Sequence, residues 1–223
     1  MCGRFTLKAT PGAIQQAFPD VKVPTDMSPR YNIAPTQPVA VIANNQPDEL
    51  DFFVWGLIPH WADDPKIGSR MINARAETLA EKPSFRVPFR RRRCLVLADG
   101  FYEWQKVPGQ KAKRPMHIGM ADGSIFAFAG LWETWHSPGG DLVLSCTIIT
   151  TQPNDLVAPI HNRMPVVMQR GAYDLWLDPD ERRPEDLQHL LEPYPAEKMA
   201  AYEVSRAVNN PRNEMSEVAE PVA

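Results

Sequence analysis

Proline is the feature that most restricts how this sequence can fold. It occurs 23 times in 223 residues, about twice the usual share of ~5%, and the prolines are spread along the whole chain. Proline lacks an amide donor and fixes its own φ, so it interrupts both helices and the interior of sheets. The sequence therefore predicts many short elements separated by turns.

Most of these short elements have the composition of strands. Thr10 before Pro11 indicates a short helix through residue 18, and two further short helices are expected at residues 171–177 and 184–191. We expect an α+β fold, a single domain built on a curved, barrel-like, mostly antiparallel β-sheet with short peripheral helices. The domain should span residues 1–212, and residues 213–223 should form a flexible tail because they lack bulky apolar side chains. β-branched and aromatic runs predict strands at 39–43, 51–55, 95–97, 125–129, 142–149 and 166–168.

Composition indicates a soluble protein. Hydrophobic residues make up 43% and charged residues 23% of the chain, and no apolar run approaches the roughly 20 residues of a membrane-spanning helix. The start of the chain has no secretory pattern, so we expect a cytoplasmic protein, nucleoid-associated if the source is bacterial, with no membrane contact. Its three cysteines are an odd number without paired spacing, which argues against disulfides and metal sites. Cys94 and Cys146 lie in strand-like runs and are expected to be inert core residues, and no cofactor is expected.

Charge is distributed unevenly along the chain. The formal net charge is −3, but residues 1–177 carry 19 basic and 16 acidic residues, whereas residues 178–223 carry 5 basic and 11 acidic ones. Local patches decide phosphate binding, so the overall sign does not exclude a nucleic-acid partner. The densest basic run, Arg90, Arg91, Arg92 and Arg93 with Arg86 nearby, is either a solvated loop before a strand or a phosphate contact, and both can hold.

Cys2 is the first candidate reactive residue. Initiator methionine is normally removed when the second residue is small, and removal of Met1 would leave an N-terminal 1,2-aminothiol. The unperturbed pKa of such an amine is ~8 and that of the thiol ~8.5, so both groups are nucleophiles near neutral pH. A chance cysteine on a frayed terminus is the alternative.

Three further segments carry reactive residue types. In an extended segment Asn73, Arg75 and Glu77 share one face, which suits a phosphate and a sugar oxygen or a solvated strand edge. Glu103, between two aromatic residues, would be partly desolvated and able to shuttle protons, or it is exposed while its neighbours are buried. His161 lies in a polar, constrained turn, although a lone histidine is more often structural.

Seven segments, in order, resemble the SOS response-associated peptidase (SRAP) family. The resemblance reaches from the first residue to within about a dozen of the last. The matching segments are 1–5, 30–35, 55–59, 72–78, 98–104, 160–165 and 204–209.

The resemblance implies a protein that binds single-stranded DNA containing an abasic site and crosslinks to it through Cys2. It implies an autoprocessing cysteine peptidase, since the residue ahead of Cys2 is removed, with a lyase-type side activity, and it leaves room for replication-associated protein partners. Its implied catalytic residues are Cys2 as nucleophile, Asn73 orienting Cys2 and the opened sugar, Glu103 relaying protons, and His161 acting at the sugar oxygen. Its implied DNA-binding residues are Arg4, Arg75 and Arg163 for phosphates, Thr150 near the site, and Trp61 for stacking.

The chemistry of an abasic site supports this interpretation. The ring-opened sugar presents an aldehyde, which an amine converts to a Schiff base. A thiol on the adjacent carbon then closes a five-membered thiazolidine, which lysine cannot form.

Two other functions remain open from the sequence. Glutamine amidotransferases also begin with Met-Cys-Gly and use the cysteine as an amidohydrolase nucleophile, but they normally carry a second domain, for which 223 residues leave little room. A non-catalytic module that binds single-stranded or modified DNA is the third function, and it would leave Cys2 without a role.

Overall fold

Strands dominate the computed structural model, which describes residues 2–222. The strands are β1 (Phe5–Leu7), β2 (Arg30–Ile33), β3 (Pro38–Ala43), β4 (Gln46–Trp55), β5 (Asn73–Arg75), β6 (Arg93–Ala98), β7 (Gly100–Gln105), β8 (Arg114–Met120), β9 (Phe126–His136), β10 (Leu142–Thr151), β11 (Met164–Pro165) and β12 (Met199–Glu203). The α-helices are α1 (Pro11–Ala17), α2 (Arg86–Arg91), α3 (Tyr173–Trp176) and α4 (Pro184–Leu187). Short 3₁₀ helices occupy Pro65–Arg70, Ala76–Thr78, Arg170–Ala172, Gln188–Leu191, Ala196–Lys198, Arg206–Asn209 and Ser216–Ala219.

Five strands close into a barrel. In the order β10-β4-β3-β6-β9 each strand pairs with the next, and β9 pairs back with β10. The β10–β4 pairing is parallel and the other four are antiparallel. The expected barrel-like, mostly antiparallel sheet with short peripheral helices is confirmed.

A second, antiparallel sheet packs against the barrel. Its strand order is β12-β8-β7-β1-β2. Phe5 on β1 meets Trp55 and Phe128 of the barrel edge-on, with ring centroids 5.1 and 5.7 Å apart, and Phe101 on β7 also meets Phe128. The main core therefore lies between the two sheets, and β1 and β7 are held close to the barrel.

The pairing partner of β10 changes along its length. β4 pairs with it at Ser145 and Cys146, and β5 takes over at Ile148, Ile149 and Thr150. The chain leaves β4 at Gly56, where φ is +133° and a Cβ would lie 2.6 Å from the Gly68 carbonyl oxygen. Only glycine fits that conformation and that close approach. This exit brings Asn73 and Arg75 to the end of β10.

Two local expectations differ from the structure. Residues 166–168 form no continuous strand because their backbone hydrogen bonds go to two different strands. The Val166 amide donates to the Ile149 carbonyl in β10, and the Val166 carbonyl accepts from the Ala129 amide in β9. The regular strand is β11, just before them. Of the expected flexible tail, residues 213–222 are described and pack on the second sheet, with Val218 only 1% exposed and the Glu214 carboxylate accepting from the Tyr31 and Asn32 amides at 2.6 and 3.1 Å.

The arginine run is not a solvated loop. Arg90 and Arg91 lie in the last turn of α2 and both pair with Glu181. Arg92 pairs with the buried Glu133 at 2.9 Å. Arg93 is fully buried at the start of β6, so the four neighbours have three different environments.

Arg93 joins several elements through backbone carbonyls. Its Nε donates to the Trp176 carbonyl at 2.9 Å, its Nη1 to Arg90 at 2.5 Å, and its Nη2 to Asp178 and Asp180 at 2.5 and 3.1 Å. Burial lowers its pKa to about 10, so it remains charged at neutral pH. The buried guanidinium therefore holds α2 and the segment after α3 onto the barrel.

We expect Arg93→Met to lower the free energy of unfolding by roughly 3 kcal/mol or more, because it leaves several buried carbonyls without donors. Urea denaturation measures this. Arg91→Met is the matched control from the same run. Its side chain is 60% exposed, so we expect a loss below about 1 kcal/mol. Equal losses in the two variants would contradict a structural role for the buried guanidinium.

Candidate active site

Four of the residues singled out in the sequence come together where the two sheets meet. Cys2 lies just ahead of β1, Glu103 is on β7, Asn73 starts β5, and His161 is in the loop between β10 and β11. Met1, whose removal is expected, lies outside the described residues. Strands of both sheets therefore supply the side chains of one site.

Cys2 is held by its backbone. Its side chain is fully buried, and the Asn73 Nδ2 donates to the Cys2 carbonyl at 2.7 Å. The Tyr102 amide donates to the Arg4 carbonyl at 2.9 Å, so the chain ahead of Arg4 runs alongside Glu103. Burial, and next the charge of Glu103, raise the pKa of the Cys2 thiol, which keeps the thiol protonated at neutral pH.

Asn73 has one amide atom in use and one available. Its Nδ2 is bonded to Cys2, whereas its Oδ1 is buried with no hydrogen-bond partner among residues 2–222. A buried acceptor without a donor costs free energy. This oxygen is therefore suited to accept from a group that arrives with a ligand.

Glu103 is a buried carboxyl. It is 2% exposed, and burial raises its pKa to about 7. A carboxyl with such a pKa is present in both protonation states near neutral pH, which is the property of a proton relay. The sequence alternative of an exposed glutamate flanked by buried aromatics does not hold.

His161 faces Glu103. Its Nε2 lies 3.9 Å from the Glu103 Oε2, and its Nδ1 lies 3.1 Å from the Arg163 amide nitrogen. The Nδ1 also lies 3.2 Å from the Arg163 carbonyl oxygen, so the same nitrogen contacts one donor and one acceptor of Arg163, and the two contacts suit opposite tautomers of the neutral ring. Burial lowers the pKa of His161, so the ring is neutral at physiological pH, with its Nε2 on the side of the carboxyl.

The three arginines expected to hold phosphates differ in their surroundings. Arg4 is half-buried, and its Nη1 donates to Asn32 Oδ1 and the Val208 carbonyl, both at 2.7 Å. Arg163 makes a two-pronged pair with Glu77, at 2.5 and 2.9 Å. Arg75 is exposed, on the strand beside Thr150. Arg75 is thus the one of the three placed for contact without rearrangement.

The other two expected DNA-binding residues also differ. Thr150 is fully buried; its carbonyl accepts from the Arg163 Nη2 at 2.5 Å and its hydroxyl donates to the Ala74 carbonyl at 3.4 Å. These two hydrogen bonds connect Thr150 to Arg163 and to β5, so its role in the structure is to position them. Trp61 is 52% exposed in the loop after β4, where an aromatic face is available for stacking.

Two residues of the site were not assigned these roles from the sequence. Asn32, fully buried on β2, accepts from Arg4 and donates to the Val208, Asn210 and Asn213 carbonyls. Glu77 holds Arg163. Both residues lie inside the segments that carry the family resemblance, which is the one sequence signal that pointed to them.

Comparisons with known proteins match this chain over nearly its whole length. The family model described as SOS response associated peptidase (SRAP) matches residues 1–211. The chain is 48% identical over 223 residues to the abasic site processing protein YoqW of Bacillus subtilis, covering 99% of each. It is 32% identical over 247 residues to the abasic site processing protein HMCES of Pongo abelii, covering 93% of this chain and 69% of that one. A solved structure from Bacteroides thetaiotaomicron superposes with a TM-score of 0.88 at 27% identity over the full length of both chains.

Proposed function

The chain belongs to the SOS response associated peptidase family, and on this basis we propose that it processes abasic sites in DNA, the activity named for its relatives. The residues of the site fit a more specific form of this function. In that form Cys2, as the N-terminal residue of the mature chain, forms a covalent thiazolidine with an abasic site in single-stranded DNA and so shields the site. Strands of both sheets form the site. None of the helices among residues 2–222 is long and apolar enough to cross a membrane.

One observation carries the proposal. Asn73 holds the Cys2 backbone at 2.7 Å beside Glu103, a carboxyl whose pKa burial raises to about 7. A structural cysteine needs neither a dedicated amide for its carbonyl nor a titrating carboxyl next to its thiol. An aminothiol that must lose and regain protons needs both.

The reaction balances without a cofactor. Water first cleaves the Met1–Cys2 peptide bond and leaves a free amine on Cys2. The amine adds to the aldehyde of the ring-opened sugar, and the resulting carbinolamine loses water to give an imine. The thiol then adds across the C=N bond, with sulfur bonding to carbon and the proton passing to nitrogen. The net result of crosslinking is one thiazolidine and one water.

Glu103 and His161 move the protons in these steps. Glu103, as carboxylate, accepts a proton from the Cys2 ammonium, and as carboxylic acid it donates one to the departing hydroxyl. His161 lies on the same side as Glu103 and acts at the sugar oxygen during ring opening. Asn73 keeps Cys2 in place, and its Oδ1, which has no hydrogen-bond partner among residues 2–222, accepts from a hydroxyl of the opened sugar.

Intact-protein mass spectrometry tests the proposal directly. We expect the purified protein to lack Met1, because the amine of Cys2 must be free, and to gain the mass of the oligonucleotide minus one water after incubation with abasic single-stranded DNA. The control is the same oligonucleotide with a tetrahydrofuran abasic analogue, which has no aldehyde and should give no adduct. Protein that retains Met1 and still forms the adduct would refute the mechanism. Glutamine hydrolysis without DNA crosslinking would instead support an amidohydrolase.

A further inference from the structure

The hairpin that joins β7 to β8 is strongly basic. Residues 105–114 contain Lys106, Lys111, Lys113 and Arg114 and no acidic residue, in a chain whose formal net charge is −3. Arg114 pairs with Glu203 at 3.2 Å. The three lysines are exposed, and none of them forms an ion pair within the part of the chain that the structure describes. The hairpin thus presents three cations that the fold itself does not neutralise.

The turn at the tip explains how the lysines are displayed. The Gln110 amide donates to the Val107 carbonyl at 3.1 Å, with Pro108 and Gly109 between them and Gly109 at φ +78°. This is the sequence and geometry of a type II turn, in which glycine takes the position with positive φ. The turn reverses the chain, so Lys106 lies on one arm and Lys111 and Lys113 on the other.

The hairpin is attached to the candidate active site at its base. Glu103 lies on the arm of β7 that leads into it, and the Gln105 Nε2 donates to the Pro159 carbonyl at 3.2 Å, which ties the arm to the loop that carries His161. Burial is the main influence on the pKa of both Glu103 and His161, but the Lys113 ammonium also lowers both pKa values. Lys113 is therefore close enough to act electrostatically on both groups.

Two of the arginines near the site, unlike the exposed Arg75, already have acceptors. Arg4 donates to Asn32 and Val208, and both prongs of Arg163 are taken by Glu77. A phosphate has to displace these contacts before it can use either guanidinium. The hairpin lysines need no displacement, and a lysine has a flexible stem and three donors with which to follow a mobile backbone.

We propose that Lys106, Lys111 and Lys113 bind phosphates of the DNA strand on one side of the abasic site and hold it against Glu103 and His161. This inference rests on the proposed function, since it names the surface that binds the same substrate. Single strands bind through grooves or arms that track the backbone with positive charge. The release of counterions from each neutralised phosphate makes such binding depend on salt.

The test measures binding without the covalent step. Fluorescence anisotropy of a labelled single strand carrying the tetrahydrofuran analogue gives the affinity as a function of salt concentration. We expect the triple variant Lys106→Gln, Lys111→Gln, Lys113→Gln to bind more weakly at low salt. The slope of log K against log salt should become shallower by about 2, since each contact contributes about 0.7 for a single strand. Restoring the charge with arginine at the three positions should restore the slope.

A matched control removes three positive charges elsewhere. Lys22→Gln, Arg183→Gln and Lys198→Gln change exposed residues and should leave the slope within error of wild type. An equal decrease in both triple variants would overturn the proposal, because it would show only an effect of net charge. An unchanged slope in the hairpin variant would also overturn it.

The two proposals fail in different ways. Wild-type protein that forms an adduct with aldehyde-bearing DNA while the hairpin variant binds the analogue normally overturns the hairpin and keeps the proposed function. Wild-type protein that binds the analogue through the hairpin but forms no adduct keeps the binding surface and overturns the covalent mechanism. Wild-type protein that does neither overturns both.

Discussion

Cys2→Ala should abolish the crosslink that survives denaturation, while leaving a crosslink that only a reductant can trap. After removal of Met1 the variant still has an N-terminal amine, so it can form the imine, but it has no sulfur to close the ring. Borohydride should capture this imine on a denaturing gel. Without borohydride the imine should dissociate or proceed to β-elimination, which cuts the strand, whereas wild type should leave the strand intact.

Insertion of an alanine between Met1 and Cys2 tests the other half of the aminothiol. The thiol remains, but the free amine moves to the inserted residue, so no five-membered ring that includes both groups can form. We expect no reductant-independent adduct, as with Cys2→Ala. If the insertion variant crosslinks as wild type does, a thiol acting alone explains the adduct and the thiazolidine mechanism is wrong. Cys94 and Cys146 lie inside β6 and β10, where their backbone nitrogens are in peptide bonds, so neither can form a thiazolidine.

Glu103→Gln should slow crosslinking by about 10²–10⁴, the usual contribution of a positioned proton relay, while affinity for the tetrahydrofuran analogue stays near wild type. Glutamine keeps the shape of the side chain but cannot transfer a proton. Single-turnover crosslinking measures the rate, and anisotropy measures the affinity. A parallel loss of rate and affinity would indicate a structural role instead.

The pH dependence gives Glu103 a signature of its own. Because burial raises its pKa to about 7, the wild-type rate should bend near pH 7, where the carboxyl changes from donor to acceptor. The glutamine variant should lose that bend and keep only the dependence due to the Cys2 amine. An identical pH profile in the two proteins would exclude Glu103 as the relay.

Stability separates a functional from a structural glutamate. The folded-state pKa of Glu103 is raised, so its stabilising contribution is complete below pH about 4.5, its usual pKa, and is lost as pH rises through about 7. Glutamine removes that loss, and at pH 8 the variant should be at least as stable as wild type. Glu133, also buried but paired with Arg92 at 2.9 Å, is the control: Glu133→Gln breaks a buried ion pair and should lower the melting temperature.

Local elements were predictable where the signal was local. The Thr10 side chain accepts from the Ala13 amide, and α1 begins at Pro11 as the cap and proline indicated. The opposite case is α2, which has no side-chain cap and is rich in arginine, so nothing in its sequence distinguishes it from a solvated loop. The packing of residues 213–222 was not predictable either, because Val218 is buried only by packing against the second sheet.

The sequence by itself determined the residue types of the candidate site and their order, because an aminothiol requires Cys2 at the start of the chain and the flanking segments resemble one family throughout. Only the tertiary structure decided how these residues combine. The hydrogen bond from Asn73 to Cys2 joins residues 71 positions apart in the sequence, and the one from Arg163 to Glu77 joins residues 86 positions apart. The alternation of residues within one strand does not predict contacts between segments so far apart. Burial works in the same way: whether a glutamate has a pKa near 7, or an arginine already has an acceptor, depends on what the other strands place around it.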